Sequence, residues 1–291
     1  MSRTILVTGA TGKTGRRLVP LLARRSVAVR AASSRPPGAT LPGVDPVRFD
    51  WADESTYDAA CKGADAVYLV TGDLATPVFP VDRIRALLHV AAEAGVGRVV
   101  LLSAFGVDQA PPGDPLRGIE LAVAASGIPA TIVRPGAFMQ NFSEPHWMRL
   151  VEGVRERDEI VMPGGAGIVT WVSTEDIAAV AAAALLEDGH AGREYAVMGP
   201  EPLTLTEVAH HISVATGRRI TYVESGREQV RAGLVAAGAA PELAEELGAV
   251  YIHALTSGAF GVRTDDVATV TGRDPVSFAE FAAGAAGAWR R

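Results

Sequence analysis

Short apolar runs, rich in Val, Ile and Leu on consecutive positions, recur through the first half of the chain: TILVT (4–8), VAVRAA (27–32), PVRF (46–49), AVYLV (66–70), RVVLLS (98–103) and ATIVR (130–134). Runs this short that do not alternate with polar residues predict strands buried on both faces of a sheet. Between them GRRLVPLLARR (15–25), ESTYDAAC (54–61), DRIRALLHVAAEAG (82–95) and GIELAVAASG (118–127) carry apolar residues at helical spacing. Strand and helix alternation of this kind predicts an α/β fold, a doubly wound parallel sheet with helices on both faces. Pro20 lies inside the first helical stretch and is expected to kink or loosen it, because proline has no N–H and its ring crowds the preceding turn.

After Arg134 the pattern changes. A glycine and proline loop, MPGGAG (162–167), leads to a strand-like IVTWV (168–172) and then to STEDIAAVAAAALLED (173–188), where Ser173 and Asp176 form an S/T-x-x-D cap before an apolar run. REYAVMG (193–199) and RITYVE (219–224) read as short strands around the helix TLTEVAHHISVATG (204–217). Two Ala-rich helices, roughly 226–237 and 241–257, and a last one from Ser277 follow. The expected organisation is a nucleotide-binding domain over 1–150 and a smaller mixed α/β lobe over 151–291, with the helix near 174–187 returned to the sheet.

The stretch VTGATGKTG (7–15) holds two phosphate-binding readings. An NTPase P-loop needs a glycine five residues before Gly12, where this chain has Val7, so that reading fails. Gly9, Gly12 and Gly15 instead follow a predicted strand and open a predicted helix, the context of a Rossmann-type dinucleotide loop; the bland alternative is a structural tight turn. About twenty positions on, where an acid would favour the ribose of NAD, the chain reads Ser33-Ser34-Arg35. Without a carboxylate, and with a guanidinium able to grip a 2′-phosphate, this favours NADPH over NADH, unless Arg35 is simply a solvated charge. Lys13 would add positive charge beside the phosphates. Asp50 and Trp51, ending the third strand, could flank an adenine, though Trp51 could equally be core. Thr71 and Gly72, and Ser103, Ala104 and Phe105, end the fourth and fifth strands, where open α/β sheets bind ligands; Ser103 could as well be a strand-end hydroxyl with a backbone partner.

Composition removes several classes. The 291 residues are 48% apolar, enough for a sizeable core, and the formal net charge of −6 leaves no basic face for a nucleic-acid partner. No run of eighteen apolar residues appears, so no membrane span is expected. A single cysteine, Cys61, and an opening strand without a signal-like segment suggest a cytoplasmic protein. Cys61 itself is expected to be buried and inert, and His210-His211 to lie on a helix surface, so no metal site is assigned. The expected partner is a small molecule, the expected state a monomer or homodimer.

By VTGATGKTG, VVLLSA, VRPGAFMQN, WVSTEDIA and TGRDPVSFAEFA, in that order over nearly the whole chain, the sequence resembles the NmrA-like branch of the atypical short-chain dehydrogenases. GKT, FDW, AVYLV, the SEPHW turn (143–147) and GPEPLT are similar to the ergot-alkaloid branch, the agroclavine and festuclavine enzymes. The resemblance implies an NADPH-dependent reductase, with quinone reductases and non-catalytic redox sensors as relatives. It implies that Gly9, Thr11, Gly12, Lys13, Thr14 and Gly15 hold phosphates, that Ser33 to Arg35 meet the 2′-phosphate, and that Asp50 and Trp51 flank adenine. Thr71, Ser103 and Ala104 would then edge the ribose and nicotinamide, with Arg134, Pro135, Gly136, Ala137 and Phe138 lining the latter.

One departure narrows the chemistry. None of the tyrosines at 57, 68, 195, 222 and 251 has a lysine four residues later, and where NmrA-like relatives often carry a lysine the chain reads DPLRGIE, giving Leu116 or Arg117. A ketone reduced without a general acid would lose about 10²–10⁴ in rate. An iminium, discharged to a neutral amine, or a quinone, whose phenolate water can protonate, does without one. The expectation is therefore a reductase of a cyclic iminium or quinone, in secondary metabolism, with no catalytic residue assigned. Its pocket would be walled by Phe105, Phe138, Met139, Asn141, His146, Trp147 and Trp171. Two alternatives stand beside it: an NADP(H) redox sensor, and a non-redox or coupling step on an aromatic metabolite.

Overall fold

The computed structural model describes residues 3–36, 41–72 and 81–291. Its first half is built from β1 (Thr4–Val7), α1 (Gly15–Ala23), β2 (Ala28–Ser33), β3 (Val44–Arg48), α2 (Tyr57–Cys61), β4 (Ala66–Val70), α3 (Val81–Glu93), β5 (Arg98–Leu102), α4 (Pro115–Ala124) and β6 (Ala130–Pro135). The second half continues with α5 (Leu150–Glu152), β7 (Glu159–Met162), β8 (Val169–Thr170), α6 (Thr174–Leu186), β9 (Glu194–Val197), β10 (Pro202–Leu203), α7 (Leu205–Thr216) and β11 (Thr221–Glu224). It ends in α8 (Arg227–Ala236), α9 (Pro241–Thr256), α10 (Asp266–Thr271) and α11 (Phe278–Ala285).

Seven parallel strands pair in the order β3-β2-β1-β4-β5-β6-β9. Successive side chains of each strand serve opposite layers. Ile5, Val7, Val29, Tyr68, Val100 and Val133 meet α1 and α6, while Leu6, Val67, Leu69, Val99 and Leu101 meet α2, α3 and α4. The strand order reverses between β1 and β4, which opens a crevice at their carboxyl ends.

Several local details depart from what the pattern predicts. α1 runs through Pro20 and ends one turn later, at Ala23. Ser173 caps α6 by accepting from the Glu175 amide, but Asp176 does not close the expected box. Its buried carboxylate accepts from Val276 N at 2.9 Å and pairs with Arg273 at 2.7 Å, which ties the loop before α11 to α6. REYAVMG does not stay in the smaller lobe: β9 joins the main sheet as its last strand beside β6, and α10 packs against α6. Of IVTWV only Val169–Thr170 is strand, paired antiparallel to β10.

The remaining elements form the smaller lobe. β7 and β11 pair in parallel under α7 and α11, around Phe142, Trp171, Phe278 and Trp289. α7 and α11 begin with capping boxes at Thr204 and Ser277. α8 and α9 pack on each other through Val230, Leu234 and Ala244, and Trp147 and Tyr251 close that cluster. Among the described residues no helix is long and apolar enough to cross a membrane.

Candidate dinucleotide and substrate site

The loop from β1 to α1 is shaped by two glycines. Gly9 has φ +60°, a conformation that L side chains rarely adopt, and a Cβ on Gly15 would sit 2.2 Å from the Gly9 carbonyl oxygen. The backbone therefore folds back on itself at the mouth of α1, and the Gly12 amide donates to Gly9 O at 2.9 Å. Thr8 fastens the loop to the next strand: its hydroxyl donates to Tyr68 O at 3.0 Å and accepts from Val70 N at 2.8 Å. No side chain caps α1, whose first turn holds no acid, in contrast to the side-chain caps on α4, α6, α7 and α11. Among the described residues no side chain of the loop or first turn answers its amide dipoles with a carboxylate, which suits a pyrophosphate.

At the end of β2 the Ser33 hydroxyl is buried and has no hydrogen-bond partner among the described residues, while Ser34 and Arg35 are exposed beside it. An orphaned hydroxyl next to a solvent-facing guanidinium, with no acid at these three positions, fits a ribose carrying a 2′-phosphate. Past the end of β3, the Asp50 carboxylate accepts from Ala52 N at 2.9 Å. Trp51 is half-buried, its ring edge-on to Phe49 at 4.8 Å, and its carbonyl accepts from Tyr57 and Arg83. It therefore presents part of its surface outward while serving as core.

On the other side of the crevice, Thr71 is buried and Gly72 exposed at the end of β4. Two residues expected to face the ligand are committed elsewhere. Arg134 is buried and grips Glu120 through two bonds, 2.7 and 2.9 Å, with its third nitrogen on Glu194 at 2.6 Å. The Ser103 hydroxyl donates to the same Glu120 at 2.6 Å, and Arg117 adds a bond of 2.8 Å. Burial raises the Glu120 pKa, but these donors outweigh it and hold the carboxyl below its ordinary value. Ser103, Arg117 and Arg134 thus support the ends of β5 and β6 from behind. Leu116 packs into the layer below the sheet, and Arg117 is engaged by Glu120.

Residues 136–139 extend β6: Gly136 N bonds to Val197 O, Val172 N to Ala137 O, and Met139 N to Val172 O. The segment then turns back across the crevice. Asn141 Oδ1 accepts from Lys13 Nζ at 2.8 Å, and Glu144 takes Arg17 at 2.7 Å and Arg16 at 3.5 Å. His146 Nδ1 accepts from the Met148 amide at 3.2 Å, and its ring lies 5.3 Å from that of Trp147. Desolvation, with the Lys13 charge second, pushes the His146 pKa down to about 3, so the ring is neutral. Trp147 in turn meets Tyr251 edge-on at 5.1 Å.

Of the expected pocket walls, Phe105, Phe138, Asn141, His146 and Trp147 are partly exposed around this turn, with Phe105 set edge-on to Phe260 at 5.5 Å. Met139 and Trp171 are not walls: both are buried in the smaller lobe, where Trp171 packs edge-on to Phe142 at 4.8 Å. A cavity of about 670 Å³ opens elsewhere, between α1, the start of α6 and α11, with Gln140, Ser143 and Glu144 in its lining. None of the expected substrate residues lines it, and Asn141 turns to Lys13 instead.

The tyrosines are engaged with protein partners, Tyr68 with Thr14 of the glycine loop. Tyr57 bonds to Trp51, Tyr195 to His190 at 2.8 Å, Tyr222 to Glu224, and Tyr68 is buried under α1. Cys61 is fully buried, and burial pushes its thiol up to about 11. His211 lies along α7 with its ring 5.8 Å from Phe278.

Strand order, glycine loop and open helix mouth together define a Rossmann-type dinucleotide-binding protein. The chain belongs to the NmrA-like family, which it matches over residues 1–262. It is 36% identical over 289 residues to the NAD(P)H azoreductase of Xenophilus azovorans, covering 96% of each chain. It is 34% identical over 304 residues to the festuclavine dehydrogenase of Aspergillus fumigatus, covering 99% of each. Among solved structures, the NADPH complex of an NADPH-dependent quinone oxidoreductase from Escherichia coli superposes with a TM-score of 0.78 at 23% identity, over 96% of this chain and 99% of the other.

Proposed function

We propose that this protein is an NADPH-dependent reductase that delivers hydride to an activated, conjugated small molecule. The observation that carries the reading is the crevice itself: an uncapped α1 mouth beside Gly9 and Gly15, followed at the end of β2 by an orphaned Ser33 hydroxyl and an exposed Arg35. Those residues would hold the pyrophosphate and the 2′-phosphate, and the bound group would supply a hydride at its nicotinamide. The names of the azoreductase and festuclavine dehydrogenase relatives support the same chemistry.

What the chain itself contributes is orientation and exclusion of water. Phe105, Phe138 and Trp147 offer apolar surface around the turn that crosses the crevice, and holding reactants in register there lowers the entropic part of the barrier. No tyrosine has a lysine four residues later, the spacing that ordinary alcohol dehydrogenases use for their proton donor, so unactivated ketones are expected to be poor substrates.

The test is a pair of measurements. Fluorescence titration should give tighter binding of NADPH than NADH, and Arg35→Glu should weaken NADPH by about 10- to 100-fold while leaving NADH nearly unchanged. Loss of reduced-nicotinamide absorbance should follow addition of a quinone or azo dye and not of a simple ketone. Equal affinity for the two cofactors, or turnover of ketones alone, would contradict the reading.

A further inference from the structure

We propose that Arg16, Arg17 and Glu144 are positioning residues that couple the two halves of this site: through them, cofactor phosphates settling on the glycine loop order the segment after β6 that carries Phe138, His146 and Trp147. This rests on the reductase reading and adds an order of events to it, cofactor before acceptor.

Arg16 and Arg17 are consecutive in the first turn of α1, and each holds the loop that precedes it. Arg16 donates from Nε to Gly12 O and from Nη2 to Thr11 O, both at 3.3 Å, and Arg17 donates from Nη1 to Lys13 O at 2.8 Å. Three successive carbonyls of the glycine loop are thus turned toward the arginines. Because the C=O and N–H of a trans peptide unit point opposite ways, the Lys13 carbonyl held by Arg17 leaves the Thr14 amide facing away from it, and that amide has no acceptor among the described residues. The arginines therefore hold the loop in a shape that can receive a phosphate.

The same two guanidiniums meet on Glu144, one at each carboxylate oxygen: Arg17 Nη2 lies 2.7 Å from Oε1 and Arg16 Nη1 3.5 Å from Oε2. The Glu144 side chain is only 11% exposed, so its charge depends on these partners. Its own place is fixed from behind, since Glu144 N donates to Gln140 O at 2.9 Å. The Gln140 side chain accepts from Thr174 N at 2.8 Å and donates to Ser173 Oγ at 3.2 Å, at the start of α6. His146 and Trp147 lie directly beyond Glu144, and the Trp147 ring rests against Gly233 of α8, where a Cβ would come within 3.1 Å of it. A glycine-rich loop without its anion keeps conformational freedom, and closing both arginines onto Glu144 removes some of it. A phosphate on the loop amides removes that freedom first, so the clamp then closes at a smaller entropic cost and holds the segment beyond Glu144 more tightly. By linkage, an acceptor resting on Phe138, His146 or Trp147 tightens cofactor binding by the same factor.

Hydrogen exchange read by mass spectrometry on the full chain, with and without NADP⁺, compares the wild type with Glu144→Ala, Glu144→Gln and Arg17→Lys. In the wild type we expect NADP⁺ to slow exchange over residues 9–17 and, by about 10-fold, over 138–149, within the usual range of coupling between sites. Glu144→Ala should keep the protection of 9–17 and lose that of 138–149. Glu144→Gln should recover part of it, because its side-chain oxygen still accepts from Arg17, and Arg17→Lys, with a point charge in place of a fork, should lose most. In turnover, Glu144→Ala should raise the KM for menadione by about 10-fold with NADPH affinity nearly unchanged. A plain brace would instead loosen 138–149 equally with and without NADP⁺ and leave the cofactor-dependent gain intact. The proposal is overturned if that gain is absent from the wild type or survives in Glu144→Ala, survival there placing the coupling on the Lys13–Asn141 contact. Should Glu144→Ala fail to fold, Glu144→Gln against the wild type decides in the same way. A protein that shows the gain but reduces no acceptor upholds the clamp and contradicts the reductase reading; one that reduces menadione without the gain does the reverse.

Discussion

Between Gly9 and Gly15 the chain doubles back so tightly that one methyl group on Gly15 would overlap a carbonyl oxygen. That constraint was legible in VTGATGKTG, because glycine is the residue such a turn demands. Other residues were not legible for the same reason in reverse. Met139, Trp171 and Arg134 sit in stretches that announce burial, yet burial against a ligand and burial against protein leave the same apolar signature. Arg134 in particular answers Glu120, fourteen residues earlier, and nothing in the spacing distinguishes that pairing from a ligand contact.

His146 carries a residue-level prediction of its own. Its pKa falls from 6.5 to about 3 on folding, so between those values the unfolded chain binds the extra proton. A depressed pKa contributes stability in full above the unfolded value, and that stability is lost as the pH falls toward the folded value. From pH 7 to 5 the wild type should therefore lose up to about 2 kcal/mol more than His146→Gln, read from urea unfolding curves at the two pH values. Other titrating groups are common to the two proteins and cancel in the comparison, so parallel losses would mean that the ring is not held neutral.

At the scale of elements, the network on Glu120 fastens α4 to the ends of β5 and β6 and, through Glu194, to β9. Removing one partner from a buried ion pair strands the other in a low dielectric. Glu120→Ala should lower the unfolding free energy by about 3 kcal/mol, whereas Glu194→Ala, at a half-exposed carboxylate, should cost much less. Equal, small effects measured by urea denaturation would show that the network contributes little. Of the first six strands, β1, β4, β5 and β6 were readable as short apolar runs, whereas Arg30 interrupts β2 and Asp45 and Pro46 interrupt β3, which starts earlier than its apolar stretch. The seventh was readable as a strand but not as a member of this sheet, since its partner, β6, lies some sixty residues back and four residues carry no address. The cap at Ser173 was visible too; the turn of Asp176 toward Val276 was not, because it depends on a loop a hundred residues later.

For the molecule as a whole, the alternation of strands and helices specified the layered sheet, and the end of that alternation near Arg134 marked where the smaller lobe begins to interleave with it. The interleaving itself arises from contacts distant in sequence, α6 on α1, β9 on β6 and α10 on α6, which periodicity cannot express. The segment after β6 that carries Asn141 and His146 is held between the two parts: Lys13 takes one end, and Trp147 reaches the α8–α9 pair at the other.

The late arrival of β9 has a consequence during synthesis. A ribosome adding about 5–20 residues per second leaves several seconds between the emergence of β6 and that of the strand that covers it. For that interval the nascent chain displays β6 as a bare apolar edge, the kind that recruits a neighbouring polypeptide. Nascent chains stalled before Val197 should be cut by protease within β6 and bound by chaperones, and chains released past α10 should not. Protection of β6 in the shorter chains would mean that another segment shields the edge until β9 takes its place.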